Sequence, residues 1–217
     1  MSEKTSIVSS GLAGAAALAA ASGAYAAIVP AASLPPITLT GAPGTFAQNA
    51  WDIDGDGFDD MIMLVANQAG PFTGTTWSSQ VAMLGNSAVA YIGGFGAPYA
   101  YSLPAGIDVG SQNFDPGFGT YGQVILGSDY GGSLYGQFVG AGELGYLGIR
   151  FQNVSGDHFA WALVRSTLGQ SLEVLGAYYN DTPLGAIQTG QVPAPGTLAA
   201  LAFGAAAFSR RSRKNAA

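Results

Sequence analysis

The chain has 217 residues, among them 33 glycines, one histidine and no cysteine, with 13 acidic against 7 basic side chains. The missing cysteines exclude disulfide staples and thiol catalysis, and a single histidine excludes a zinc site built on paired imidazoles. Between residues 27 and 191 the acids number 12 and the bases two, Arg150 and Arg165, a formal charge of −10 with no lysine, which repels nucleic acid and anionic lipid and favours cations.

Residues 1–26 read as an export signal. Lys4 lies in a short polar lead, Ile7 to Ala21 is dominated by Ala, Leu and Val, and Ala24-Tyr25-Ala26 is an A-x-A cleavage site, so a short signal helix is expected. Residues 27–44 carry Pro30, Pro35, Pro36 and Pro43 among Ala, Ser and Thr, the composition of a linker.

Asp52-Ile53-Asp54-Gly55-Asp56-Gly57-Phe58-Asp59-Asp60 is the sharpest chemical motif. Calcium takes six to eight hard oxygens, and this spacing wraps Asp52, Asp54, Asp56 and Asp60 around one ion, with the Phe58 carbonyl as a further ligand. Phe58 then has a side chain free to pack inward, and Gly57 permits the sharp turn. Five carboxylates in nine residues repel one another with no Lys or Arg nearby, a cost that a divalent cation removes. Magnesium suits the loop less, because it demands tight octahedral geometry and keeps its waters. The bland alternative is a solvated Asp-Gly turn. Met63 stands where an EF-hand has its glutamate, and an apolar strand follows in place of a helix. The loop resembles the calcium loops of FG-GAP repeats and dockerin-like segments, which implies a structural calcium ion; its single copy argues against a propeller.

From Thr45 onward short apolar runs alternate with Gly, Asn, Asp and Ser clusters. Strands are predicted at Phe46–Trp51, Met61–Ala66, Gln80–Leu84, Ala88–Ile92, Tyr99–Leu103, Gln123–Leu126, Leu134–Val139, Tyr146–Gln152, His158–Arg165 and Leu172–Tyr179. Their spacing points to one all-β domain over 45–191, an antiparallel β-sandwich or jelly roll. No internal repeat supports a solenoid. Tyr146–Gln152 and His158–Arg165, joined by Asn153 to Asp157, form the clearest pair. Alternation groups Leu147, Ile149 and Phe151 on one face and Phe159, Trp161 and Leu163 on another, and these six are expected to meet in the core, with Arg150 pointing away.

Glycines sit beside aromatics from Gly93 to Gly148, as in Tyr130-Gly131 and Tyr135-Gly136. They are either turns beside core aromatics or a platform on which sugar rings stack. Glu143 and Glu173 are the acids from which a glycosidase pair would be drawn, with no other support in their surroundings. His158 fits a packing or surface role. Ser133 misses the G-x-S-x-G elbow, and Asn153-Val154-Ser155 and Asn180-Asp181-Thr182 match glycosylation sequons.

Val192-Pro193-Ala194-Pro195-Gly196-Thr197 is a stiff linker, Leu198 to Phe208 is apolar or small, and Arg210, Arg211, Arg213 and Lys214 close the chain. Eleven helical residues rise only about 16 Å against a bilayer core of about 30 Å, so the expected sorting helix is a transient anchor held by its basic end. The segment 192–217 resembles the C-terminal signal of PEP-CTERM proteins, with Pro193-Ala194-Pro195 in place of Pro-Glu-Pro. Tyr146-Leu-Gly-Ile-Arg-Phe151, His158-Phe-Ala-Trp161 and Gly176-Ala-Tyr178 also look like closing strands of that family. The resemblance implies export, handling by an exosortase-like membrane enzyme and delivery to the surface or extracellular matrix of a Gram-negative-type bacterium. The function expected is a non-enzymatic structural or adhesive role with calcium as the only cofactor, no nucleic-acid partner, and extracellular polysaccharide as a candidate ligand. The alternatives are a carbohydrate-binding module and a secreted glycan hydrolase.

Overall fold

The computed structural model describes residues 27–40, 42–69, 75–94, 97–111, 122–130, 132–139, 141–167 and 170–193. The expected signal helix and sorting helix fall outside these residues. The described residues form fifteen strands: β1 (Ile28–Pro30), β2 (Ile37–Thr38), β3 (Thr45–Trp51), β4 (Met61–Ala69), β5 (Thr75–Met83), β6 (Ala88–Val89), β7 (Tyr91–Gly94), β8 (Ala97–Ala100), β9 (Asp108–Val109), β10 (Gln123–Tyr130), β11 (Ser133–Gly136), β12 (Ala141–Asn153), β13 (Gly156–Thr167), β14 (Ser171–Asn180) and β15 (Ile187–Gln188). Every predicted strand lies wholly or partly within one of them.

The strands build a β-sandwich. One sheet runs β1-β14-β13-β12-β6 with β2 beside β14, and the other runs β3-β4-β5-β10-β8-β7 with β11 beside β10. All described pairings are antiparallel except β10 with β8. Between the sheets lies a core of Trp51, Met61, Met63, Val65, Val81 and Leu126 from one side and Leu147, Ile149, Phe151, Ala160, Ala162 and Val164 from the other. Inside it the hydroxyls of Ser79 and Ser166 meet at 2.9 Å, so each satisfies the other's buried polar atom across the sheets.

The β12–β13 hairpin differs from its expected packing. Its turn is only Val154-Ser155, and Asn153 pairs with Gly156. That register sets odd-numbered residues opposite even-numbered ones: Ile149 opposite Ala160, Gly148 opposite Trp161 and Arg150 opposite Phe159. Directly opposed residues share a face, so the six expected partners divide between two cores. Leu147, Ile149 and Phe151 face the other sheet. Phe159 and Trp161 join Leu103, Val109 and Ile187 in a second cluster on the outer face, with Leu163 packed against it. The strand pair β15-β9 lies over this second cluster, and Gly148 leaves room for Leu103 and Ala90 within it. A methyl group at Gly148 would meet Leu103 Cδ1 at 3.0 Å and Ala90 Cβ at 3.3 Å.

The lead expected as linker also differs. Ile28 to Pro30 pairs with Asn180 to Tyr178, and Ile37 to Thr38 pairs with Leu172 to Ser171. Leu34, Ile37 and Leu39 are buried in the inter-sheet core. Proline is tolerated there because the segment runs along a sheet edge, where missing N–H groups cost little.

Candidate functional site

The acidic loop joins β3 to β4 at one end of the sandwich. Gly55 and Gly57 have φ of 79° and 94°, left-handed values that a side chain would strain, and they fold the loop back on itself. Asp52 organises the turn: its Oδ1 accepts from the Gly55 N–H at 2.7 Å, and its Oδ2 accepts from the Gly57 N–H at 2.8 Å. Asp60 is buried, and its Oδ2 accepts from the Ile53 N–H at 2.8 Å.

The loop gathers Asp52, Asp54 and Asp60, which each offer a carboxylate oxygen within 4.8 Å of the others. Asp56 stands apart from this trio; it is exposed, and its Oδ1 accepts from the Phe58 N–H at 2.9 Å. Phe58 does not pack inward. It is 77% exposed, and Ile53 at 0% takes the inward place, because the backbone turns between them. Burial pushes the Asp60 carboxyl up to about 7. The Ile53 hydrogen bond opposes that shift, and the charges of Asp54, Asp52 and Asp56 add to it. Such a site gains from a cation, which would remove the repulsion and hold Asp60 ionised.

A residue that sequence reasoning missed completes the loop's surroundings. Asn153, in the β12–β13 hairpin of the opposite sheet, donates from Nδ2 to Asp54 Oδ2 at 2.8 Å. The lead segment also reaches the loop, with Ala32 N–H donating to Ile53 O at 2.9 Å. Asn153 lies 99 residues from Asp54. In the sequence it stands in a sequon and in the connection after Tyr146–Gln152, where Asn is common for local reasons, and neither signal points to Asp54.

The same hairpin holds His158 in a buried packing role. Its Nδ1 and Nε2 stand 2.8 Å from Asn180 O and Ser155 Oγ, and its ring stacks on Phe151 with centroids 5.6 Å apart. Asn180 is buried, and its amide nitrogen donates to Ala186 O at 2.8 Å, so this sequon's nitrogen is turned into the fold. Glu143 stands on β12 paired with Ser166, and Glu173 on β14 paired with Arg165, with β13 between them. Glu173 Oε2 accepts from Arg165 Nη1 at 3.1 Å. Tyr130 and Tyr135 are 39% and 48% exposed, and the β10–β11 register sets both on one face of that hairpin.

At the exit of the domain, Trp161 Nε1 donates to Gln191 O at 3.0 Å. Tyr146 and Tyr178 flank the indole at centroid distances of 5.3 and 5.1 Å. Val192 is exposed and Pro193 half-buried, while Pro195, Arg210, Arg211, Arg213 and Lys214 lie outside the described residues. No helix of the described residues is long and apolar enough to cross a membrane. No curated protein and no solved structure matches the chain. Residues 191–214, which begin at the Gln191 held by the Trp161 indole, match the PEP-CTERM protein-sorting motif, and the chain is thereby marked as an exported, surface-sorted protein handled by an exosortase-like membrane enzyme.

Proposed function

We propose that the chain is a structural or adhesive surface protein whose β-sandwich is stapled at one end by calcium bound to Asp52, Asp54 and Asp60. The observation that carries this reading is the convergence of three carboxylates on a loop hydrogen-bonded to the opposite sheet. An ion there would tie β3 and β4 to the β12–β13 hairpin and offset like-charge repulsion in a domain with formal charge −10 over 27–191. An irregular set of carboxylate oxygens suits calcium, with its variable geometry, better than magnesium, which demands a near-ideal octahedron. Delivery follows from the sorting motif, and the extracellular matrix of a Gram-negative-type bacterium is the proposed destination. Extracellular fluids are rich enough in calcium to load weak sites of this kind, with Kd of about 10⁻⁴ to 10⁻³ M.

The experiment expresses the full-length chain and a chain lacking residues 192–217 in a host with an exosortase-like enzyme. Full-length protein is expected on the cell surface and the shortened chain in the medium. Stripping calcium from the cells should lower their attachment to polymer-coated surfaces. Identical fractionation of the two chains, or attachment indifferent to calcium, would contradict the proposal.

Exposure of Tyr130 and Tyr135 on one face favours a second reading, a carbohydrate-binding module. Sugar rings stack their C–H faces on such side chains. Glycan-array binding lost in the Tyr130→Ala, Tyr135→Ala double variant would favour it over a purely structural role.

A further inference from the structure

The first described residue has its backbone nitrogen on a carboxylate: Ala27 N–H donates to Asp181 Oδ1 at 2.9 Å. In return Asp181 N–H donates to Ala27 O at 3.1 Å, and the antiparallel ladder continues through Ile28 with Asn180 and Val29 with Tyr179. Ala27 is also the residue that follows Ala24-Tyr25-Ala26, the A-x-A cleavage site. Two features thus meet at one atom: the A-x-A pattern places the expected cut there, and the fold supplies an anion there. We propose that Asp181 is the receptor for the α-ammonium of the mature chain, so that removal of the export signal locks β1 onto β14 through a new ion pair.

The step is hydrolysis of the Ala26–Ala27 peptide bond by the leader-cleaving peptidase of the export machinery. The oxygen of one water ends on Ala26 as a carboxylate oxygen. Both its hydrogens end on the Ala27 nitrogen, which becomes an ammonium. A neutral N–H donor is replaced at the same place by a positive group with three donors, and charge-assisted hydrogen bonds are about twice as strong as neutral ones. Both residues are exposed, so the gain is modest and screened by salt. Its effect falls on one of the sheet's outermost strands, three residues long, whose Ile28 packs against the second core. Tyr179 also faces this corner, its phenol pushed up by burial and by the charges of Asp54 and Asp181, and His158 Nδ1 stands 2.8 Å from the neighbouring Asn180 O. An ammonium beside Asp181 would counter part of that field.

The absence of lysine between residues 5 and 213 makes the α-amine easy to observe. The full-length chain is exported from a host with its signal peptidase, and the start of the product is read by mass spectrometry. Trace acetylation at neutral pH then reports the free-amine fraction on the N-terminal peptide. The product is expected to begin at Ala27 and to label about twofold more slowly than the Asp181→Asn variant, the effect of a surface ion pair. Asp181→Glu should keep the slow rate, and Asp157→Asn, on the neighbouring hairpin, should leave it unchanged. A product beginning elsewhere would overturn the proposal. So would equal labelling of wild type and Asp181→Asn, or acceleration as large from Asp157→Asn.

Discussion

Asn153 and Asp54 join the two sheets of the sandwich through one hydrogen bond of 2.8 Å, from the side-chain amide of one to the carboxylate of the other. The bond orients one of three converging carboxylates and commits the β12–β13 hairpin to the acidic loop. Asn153→Ala should destabilise the metal-free protein by about 1–2 kcal/mol, since hydrogen bonds to charged groups are worth more than neutral ones. Asn153→Asp should cost more in chelator, because it adds a negative charge beside Asp54. Calcium should recover part of that larger loss. Urea denaturation of the three proteins, with and without calcium, checks the order.

Asp60 makes metal-free stability depend on pH. Its carboxyl is raised from 3.8 to about 7 in the fold, so the folded state holds its proton more tightly than the unfolded chain does. The stability it contributes is complete below about pH 4 and is lost as pH rises toward 7. Asp60→Asn should flatten that slope in chelator while weakening the response to calcium. Calcium binding at pH 6 should release protons, as binding to a raised carboxylate must. Melting curves in EDTA from pH 4 to 8 test the sign.

Trp161 closes the domain at the point where the sorting tail departs. Trp161→Ala removes a buried indole packed on Tyr146 and Tyr178, and should cost about 3–5 kcal/mol. Trp161→Phe keeps most of the packing but leaves Gln191 O without its donor. Amide exchange should then quicken at Ile187 to Gln191 while β4 and β5 stay protected.

Much of the fold was legible in local pattern. Met61, Met63 and Val65 alternate inward along β4, and turn residues mark the strand ends. The parity of the hairpin was not legible, because composition does not reveal whether Asn153 to Asp157 spans a five-residue loop or a two-residue turn. One residue of slip sends Phe159 and Trp161 to the opposite face. The prolines of residues 30–36 masked β1 and β2, whose partners lie more than 130 residues away. At the acidic loop, Asp52, Asp54 and Asp60 were legible because their spacing is local. Asn153 was not, because tertiary structure alone brings it there.

Glu143 and Glu173 should give no hydrolysis. Glu173 Oε2 is engaged by Arg165 Nη1 at 3.1 Å, and strand β13 stands between Glu173 and Glu143, whereas a glycosidase pair must flank one scissile bond across a cleft. Reducing-sugar release from a panel of polysaccharides should be absent in wild type. Release that disappears in the Glu143→Gln, Glu173→Gln double variant would promote the hydrolase alternative.

The calcium staple is tested most directly by the melting temperature of the exported protein in EDTA and in excess calcium at neutral pH. At about a hundredfold excess over Kd, binding to the folded state alone adds roughly 2.7 kcal/mol, a rise of about 5–10 °C for a chain of this size. The rise should vanish in the Asp52→Asn, Asp60→Asn double variant. Superimposable wild-type curves in EDTA and calcium, or a rise that survives in the double variant, would contradict calcium binding at Asp52, Asp54 and Asp60.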